Sequence, residues 1–574
     1  MTTVIYNGKF YLNRGNFCEA VLVENGRIAK TGSSRDLLEA AHNKAEKSEV
    51  QKIDAQGALV LPAFHDGHLH LLGLGRRAGG IEGTGANSID DIIGRGRELI
   101  AALKPPAGTY ITGAGVNPDL FTSGEKRDLR RYDLDKISIE HPVIISRHCG
   151  HTIYCNSLAL KLAGIGDSAP NVEGGTIEKD ESGRPTGVCR ENANALVRKP
   201  MPPPSPQDIK RCLNLAMKKA HSLGITACGS FDTGGPDFEN VRAVYSEIYD
   251  ESRKAGVPAL RVSMQWGISA SEKYLDELCK KSLDLRLEQK IKISGSPDIP
   301  LWEDSQWGTF LKMGPLKLFI DGTLGGRTAW MLRPYHDMPE TRGFPVIDPQ
   351  TLNRYVQKAA VAGMQVIIHA IGDAGFDAAL SAFERITNSR INSEEVNLRE
   401  VNPLRHSVIH CQITSPGQLE RMARNNIGAM VQPIFLKDDI HMIAERVGPG
   451  LASTSYAWGS MQRLGIRVSY GTDAPVSGLD PLDCIEWAVF RGGPDAACGI
   501  YAGETVDVST AVDAYTTGSA CATFSDNNLG RIAPGFFADL VFLDRDIFTM
   551  PPQEIHTAKV LRTMCAGETV YSVM

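Results

Sequence analysis

Six side chains that could bind or bridge metal ions lie in short motifs scattered along this chain of 574 residues. Each motif follows a short apolar run that predicts a buried strand. Neutral imidazoles together with carboxylates are the ligands that zinc and similar divalent ions prefer. The set therefore predicts a metal centre of the kind that activates water for hydrolysis. Its members are His68, His70, Lys317, His369, His410 and Asp473.

His68 and His70 form a His-x-His pair inside LPAFHDGHLH. Residues i and i+2 of a strand face the same side, so both imidazoles can reach one ion. Asp66 shares that face, whereas His65 has the opposite parity and should point toward a helical layer. A His-x-His pair also arises by chance on surface strands, but the preceding apolar run and Pro62 favour a metal site.

Lys317 lies in the otherwise apolar run PLKLFID and admits two interpretations. Its stem could pack in the core while the ammonium group reaches out to water. Alternatively, the neutral amine could react with CO2 to form a carbamate, which is anionic and could bridge two cations as a carboxylate does. The strand pattern leaves both open.

His369, His410 and Asp473 each close an apolar run. Either histidine alone is equally well explained as a core residue bonded to a backbone carbonyl. Asp473 follows VSYGT, and a carboxylate at a strand end can bind a metal ion and accept a proton from its water.

The elements that must position these groups predict an α/β fold. Eight runs alternate with helix-like segments, which is the pattern of a (β/α)8 TIM barrel whose active site lies at the C-terminal ends of its strands. The runs are ALVLPAFHDGHLH, GITACGSFDT, ALRVSMQWG, PLKLFID, QVIIHAIG, HSVIHCQ, IGAMVQP and RVSYGTDAP.

Three domains are expected from the length and the changes of pattern. The β-rich residues 1–60 and 527–574 predict one small β-sandwich built from both chain ends. Residues 61–75 and 221–526 would form the barrel. Residues 76–220 are too many for a barrel loop and predict an inserted α/β subdomain.

Composition excludes several classes of function. A net charge of −6 gives no basic surface for nucleic acid or an anionic membrane. The sequence has no basic segment leading into an apolar one at its N-terminus and no apolar run long enough to span a bilayer. The 12 cysteines contain no CxxC pair, which favours reduced thiols and a cytoplasmic location.

At these motifs the chain resembles the amidohydrolase superfamily. Within it, the chain resembles amidohydrolase family 3, the branch that includes YtcJ-like proteins and N-substituted formamide deformylases. LPAFHDGHLH is similar to the family's PGFxDxHxH, LKLFIDGTLGGRTA to KxFxDGSLGSRTA, RHSVIHCQ to RHRIEHAQ, GTDAPV to GSDxPV, and LGRIAPGFFADLVFLD to GxIxxGxxADLVVLD. Five motifs in the same order span nearly the whole chain.

The resemblance implies a binuclear centre of two divalent ions, most simply Zn2+, in a chain that pairs as a homodimer. One ion would be held by His68 and His70 and the other by His369 and His410. Lys317 would bridge both as a carbamate, and Asp473 would complete the first site and serve as base. Ser407 and Ile409 stand where the family has Arg and Glu, which leaves His410 without its usual orienting neighbour.

The predicted reaction is hydrolysis of a non-peptide C–N bond by a metal-bound hydroxide, with a small-molecule amide, for example an N-formyl or N-acyl amine, as substrate. A mononuclear deaminase or cyclic amide hydrolase on the same scaffold is the first alternative. A non-catalytic metal-binding regulatory protein is the second.

Three further residues are candidates for substrate binding. His151 would face the pocket or act as a local cap. Arg327 would hold a substrate carboxylate or pair with Asp321 or another acid. Trp330 would form an aromatic wall or pack in the core.

Overall fold

The computed structural model describes residues 2–45, 50–147, 152–166, 172, 175–234, 237–268, 275–277, 279–280, 309–391, 401–492 and 502–574. The chain divides into two compact units, one of Met1–Leu71 with Met217–Met574 and one of Leu72–Ala216. Among the described residues, no helix is both long and apolar enough to cross a membrane.

Short strands dominate the N-terminal residues. The turn at Asn25-Gly26 has positive φ at both positions (51° and 75°), which is the conformation that an Asn-Gly hairpin turn requires. The first seven strands are β1 Thr2–Tyr6, β2 Lys9–Asn13, β3 Asn16–Cys18, β4 Ala20–Glu24, β5 Arg27–Gly32, β6 Val50–Asp54 and β7 Leu59–Pro62. Four of them form a mixed sheet in the order β5-β4-β1-β6.

The run ALVLPAFHDGHLH is two strands and not the single barrel strand that was predicted. β7 ends at Pro62, and the first barrel strand, β8, covers Phe64–Leu69. The backbone changes partners between them: Ala63 N–H donates to the carbonyl of Asp539, and Phe64 N–H donates to that of Gly224. Proline has no N–H to continue a ladder, so the change of sheet falls at the residue where the ladder is weakest.

The unit of residues 72–216 contains its own six-stranded mixed sheet in the order β13-β14-β12-β11-β10-β9. Helix Ile89–Leu103 buries Ile89, Ile92, Ile93 and Gly96 along one face, which is the spacing of an amphipathic helix. Ser88 caps this helix by accepting the Asp91 N–H. The strands are β9 Ile81–Glu82, β10 Ile111–Val116, β11 Val143–Arg147, β12 Thr152–Cys155, β13 Gly175–Lys179 and β14 Pro185–Glu191.

The barrel is an eight-stranded parallel sheet in the order β21-β20-β19-β18-β17-β16-β15-β8. Two backbone hydrogen bonds join the end of β8 to the loop that follows β21: Asp473 N–H donates to His68 O (2.8 Å), and His70 N–H donates to Ala474 O (2.7 Å). The predicted (β/α)8 TIM barrel is confirmed. The strands that follow β14 are β15 Ile225–Gly234, β16 Arg261–Gly267, β17 Leu311–Phe319, β18 Val366–Ala370, β19 Ser407–His410, β20 Gly428–Val431 and β21 Val468–Tyr470.

Helices connect the strands, and the helix that precedes β18 begins at residues typical of a helix N-terminus. Asp348 accepts the Thr351 N–H, and Pro349 opens the helix that precedes β18. The α-helices of the described residues are Ser34–Ala45, Leu71–Ala78, Ile89–Leu103, Arg131–Asp135, Ser157–Leu162, Ala193–Arg198, Pro206–Ser222, Asp237–Ala255, Pro349–Val361, Asp373–Ile391, Pro416–Arg424, Leu436–Asp439, Ile443–Ala452, Trp458–Arg463, Pro481–Val489, Val508–Asp513 and Ser519–Ala522.

The two chain ends share a sheet. The last strands are β22 Leu540–Leu543, β23 Val560–Cys565 and β24 Glu568–Ser572, and the sheet order is β24-β23-β22-β7-β2-β3. β22 pairs antiparallel with β7, and β2 pairs parallel with the other edge of β7. Phe10, Val60 and Phe542 pack together in the buried core beside this sheet.

Candidate metal centre

The six predicted side chains all belong to the unit that contains the barrel, and they lie at the C-terminal ends of its strands. His68 is in β8, Lys317 in β17, His369 in β18 and His410 in β19. His70 directly follows β8, and Asp473 lies in the loop that follows β21. All are buried except His70, whose side chain is 28% exposed. The common position follows from parallel strands, whose carboxyl ends meet at one face of the barrel.

His68, His70 and Asp473 form one cluster, with their ligand atoms within 4.8 Å of one another. Asp473 Oδ1 lies 3.0 Å from His70 Nε2 and 3.3 Å from His68 Nε2. The backbone of Asp473 has φ 56°, a left-handed conformation that is costly for a residue other than glycine. Backbone strain of this kind persists only where the surrounding structure holds the residue in place.

The hydrogen bonds of the two histidines fix which nitrogen carries the proton. His68 Nδ1 lies 2.6 Å from Gln265 Oε1, and His70 Nδ1 lies 2.6 Å from the carbonyl oxygen of Phe231. Both partners are acceptors, so Nδ1 is the donor in each ring and Nε2 holds a lone pair. Two lone pairs therefore face the carboxylate of Asp473, and Asp473 Oδ1 is buried without a hydrogen bond.

Such an arrangement fits a cation. Three acceptors that point at one another repel in a buried site unless a positive charge lies between them. Imidazole nitrogens and a carboxylate are ligands of zinc and of similar divalent ions. The residues present therefore suit the metal that the sequence predicts.

His369 and His410 form a second pair, with ring centroids 4.4 Å apart. His410 Nδ1 lies 2.7 Å from Gln432 Oε1, and His369 Nε2 lies 3.0 Å from the carbonyl oxygen of Gly322. Each ring again donates to an oxygen and keeps one nitrogen free as a lone pair. The His410 ring lies 6.3 Å from that of His68, so the two pairs are neighbours.

Lys317 lies among these histidines and is 1% exposed. Its Nζ is 3.4 Å from His68 Nε2. The side chain therefore does not carry its ammonium group out to water. Burial lowers the pKa of Lys317 to about 7, with Asp473 opposing the shift. The neutral amine is thus accessible near neutral pH.

The pKa values of the other groups follow from the same burial. Desolvation lowers the pKa of His68 to about 4 and that of His369 to about 3, so both rings are neutral, which is the ligand form.

Comparison with known proteins places the whole chain in one family. Residues 51–571 match the amidohydrolase family 3 model. This chain belongs to the amidohydrolase family. It is 32% identical over 575 residues to the YtcJ amidohydrolase of Bacillus subtilis (strain 168), covering 100% of this chain and 99% of that protein. It is 26% identical over 587 residues to the N-substituted formamide deformylase of Arthrobacter pascens, covering 97% and 96%.

A solved structure supports the same placement of this amidohydrolase. An uncharacterized metal-dependent hydrolase from Pyrococcus furiosus superposes with a TM-score of 0.73 at 27% identity, covering 96% of this chain and 100% of that one. The predicted family is therefore confirmed.

The three predicted substrate-binding residues have different outcomes in this amidohydrolase. His151 lies outside the described residues. Arg327 pairs with Asp337 through Nη2 and Oδ2 at 2.7 Å, and Asp337 also binds Arg446. The acid that Arg327 meets is thus Asp337 and not Asp321. Trp330 is partly buried, and its backbone N–H donates to Asp321 Oδ2 at 2.9 Å. Their roles toward a substrate stay predictions.

Two residues of the amidohydrolase site were missed from the sequence. Gln265 and Gln432 supply the oxygens that hold His68 and His410. The signal was a glutamine near the end of each of the runs ALRVSMQWG and IGAMVQP. Gln432 also corrects the expectation that His410 lacks an orienting partner, because the partner comes from the neighbouring strand and not from position 409.

Proposed function

We propose that this amidohydrolase cleaves a non-peptide C–N bond, most simply the amide of an N-formyl or N-acyl amine. The observation that carries the proposal is the convergence of the His68 and His70 lone pairs on the unbonded carboxylate oxygen of Asp473. A relative that is named an N-substituted formamide deformylase supports the amide class.

In this proposal His68, His70 and Asp473 hold one divalent ion, and His369 and His410 hold a second. Lys317 would bind both ions as a carbamate, which its burial and its pKa of about 7 favour, because only the neutral amine reacts with CO2. A bound Zn2+ lowers the pKa of water and polarises the substrate carbonyl.

Asp473 is the proposed general base. Its carboxylate accepts a proton from the attacking water and returns it to the departing nitrogen. His70 Nε2 and His68 Nε2 flank one oxygen of this carboxylate, at 3.0 and 3.3 Å.

Two aromatic rings beside the centre favour an apolar substituent on the substrate. The Phe231 ring lies 5.6 Å from that of His70, and the Phe319 ring lies 5.3 Å from that of His369. The two phenylalanine rings are 5.7 Å apart and only partly buried. An apolar group on the amine or acyl side would lose water against them.

A mononuclear deaminase or cyclic amide hydrolase is the second candidate. The observation that favours it is that, within the described residues, the group of His, Cys, Asp and Glu close enough to share one ion is His68, His70 and Asp473. A small-molecule substrate and a homodimer are proposed in either case. The ten cysteines of the described residues are free thiols, in keeping with the cytoplasmic location that we propose.

The test is the metal content per chain of protein purified without chelators, measured by elemental mass spectrometry. About two equivalents of zinc would support the bridged pair. A substrate screen would then compare N-formyl and N-acyl amines that carry apolar substituents with those that carry charged ones. About one equivalent would support the mononuclear candidate. No metal, even after reconstitution with zinc and bicarbonate, would overturn both candidates and the metal-binding regulatory alternative as well.

A further inference from the structure

Gln265 is held so that it can present only its oxygen to His68. Its Nε2 donates to the carbonyl of Gly67 at 3.1 Å, which leaves Oε1 facing His68 Nδ1 at 2.6 Å. The side chain is 1% exposed, so water does not compete for either group. The imidazole must therefore donate from Nδ1, and its lone pair is on Nε2.

Gln432 repeats this arrangement on the other side of the centre. Its Nε2 donates to the carbonyl of Met430 at 3.3 Å, and its Oε1 faces His410 Nδ1 at 2.7 Å. It is 3% exposed. Gln265 lies in β16 and reaches His68 in β8, while Gln432 directly follows β20 and reaches His410 in the adjacent strand β19.

We propose that Gln265 and Gln432 are paired positioning residues that lock His68 and His410 as Nδ1–H tautomers and aim each Nε2 at the metal. The inference rests on the metal centre of the proposed function. An amide whose nitrogen is bound to a backbone carbonyl cannot turn to offer a donor, so the tautomer is fixed before any ion arrives.

The choice of an amide has a chemical consequence. A carboxylate in the same place would make each ligand histidine more basic and would cancel part of the charge of the ion. A neutral amide orients the ring without adding charge. The ion therefore keeps more of its power to acidify water and to polarise a carbonyl.

The test is the zinc affinity of metal-free protein, measured by competition with a chromophoric chelator. Gln265→Met and Gln432→Met keep the size of the side chain and remove the oxygen, and each should bind zinc about 10- to 100-fold more weakly. Gln265→Asn and Gln432→Asn, which keep the amide but retract it by one methylene group, should also bind more weakly. Gln265→Glu and Gln432→Glu keep an acceptor for the Nδ1–H, so each should bind zinc more tightly than the corresponding Met variant.

Gln365→Met is the matched control. Gln365 is buried in the same barrel, and its Nε2 donates to the carbonyls of Arg405 and Ala522 at 2.9 and 3.0 Å, but its amide contacts no candidate ligand. The variant should lose stability without losing zinc affinity. Circular dichroism and melting of the metal-free proteins establish that all variants fold.

Two outcomes would overturn the inference. Zinc affinity of both Met variants within threefold of the wild type, or an equal loss in Gln365→Met, would show that the glutamines only pack. In either case the wild type would still bind zinc, and the proposed function would stand. A wild type that binds no zinc would overturn the proposed function and this inference together.

Discussion

Thr472 and Asp66 join the last strand of the barrel to the first. The Thr472 hydroxyl donates to Asp66 Oδ2 at 2.7 Å, and the Thr472 N–H donates to the same oxygen at 3.0 Å. The hydroxyl of Tyr515 and the N–H of His68 also donate to this buried carboxylate, each at 3.1 Å. Because Thr472 directly precedes Asp473, this clamp fixes the candidate base against the His-x-His pair.

Thr472→Val should weaken both the fold and the metal site. The change keeps the shape of the side chain and removes one of the donors to a buried carboxylate, which costs about 1–3 kcal/mol of unfolding free energy. Zinc affinity should fall as well, since Asp473 loses its anchor. Denaturant unfolding and chelator competition measure the two effects. Thr563→Val is the control, because the Thr563 hydroxyl donates to the His221 carbonyl and both residues are far in sequence from the candidate ligands. This variant should lose stability and keep its zinc affinity.

Lys317→Ala should lose metal and activity together, because the bridging group is removed. A short-chain carboxylic acid in the buffer should restore part of both, since its carboxylate can take the place of the carbamate. Lys312→Ala is the control: Lys312 lies in the same strand and donates to Phe524 O and Ser525 Oγ, both at 3.1 Å. Metal content that is complete in the Lys317 variant would count against the bridge.

Asp473→Asn should lower kcat by about 10²- to 10⁴-fold, the usual contribution of a general base. The amide keeps the size of the side chain but cannot accept the proton of the attacking water. Steady-state kinetics with any accepted amide measures the change, and metal content separates loss of the base from loss of the ion. Unchanged turnover at full metal content would remove Asp473 from the mechanism.

Asp439 should make the stability of the protein depend on pH. Burial raises its pKa to about 6, and hydrogen bonds from Tyr456 and Gln412 only partly oppose the shift. Between about pH 4 and 6 the folded state thus holds a proton that the unfolded state has released, so the free energy of unfolding falls as pH rises through this range. A shift of about two units corresponds to at most about 3 kcal/mol.

Asp439→Asn removes that titration. The variant should equal the wild type near pH 4 and exceed its unfolding free energy above pH 6, by about 1–3 kcal/mol. Urea unfolding at pH 4.5, 6 and 7.5, buffered at constant ionic strength, gives the comparison. A difference between the two proteins that does not change with pH would mean that Asp439 ionises normally.

Strand alternation predicted side-chain direction well. The structure bears out the opposite directions of His65 and His68: His65 Nε2 lies 3.2 Å from Thr523 Oγ1, directly after helix Ser519–Ala522, while His68 faces the centre. A period of two is a local property, so the sequence carries it without knowledge of the fold. The joint occurrence of the motifs then located the site.

Side-chain contacts between different strands and loops could not be predicted from strand alternation. The partner of His410 was sought at position 409 and is Gln432, and the partner of Arg327 is Asp337. Each pairing depends on the register between neighbouring strands or on the path of a loop, and neither is written in the spacing of a single motif. The split of ALVLPAFHDGHLH at Pro62 was missed for the same reason, since it depends on which strands the two halves pair with.

The pairing of β7 with β22 has a consequence for how the chain is made. Leu59 lies opposite Leu543, and Val60 lies opposite Phe542. A ribosome emits β7 before the barrel residues and β22 after them, so β7 must wait without this partner while the barrel residues emerge. Contacts between residues so distant in sequence form slowly and leave strand edges open to aggregation in the interval. Nascent chains that stall before β22 are therefore expected to depend on chaperones for their solubility.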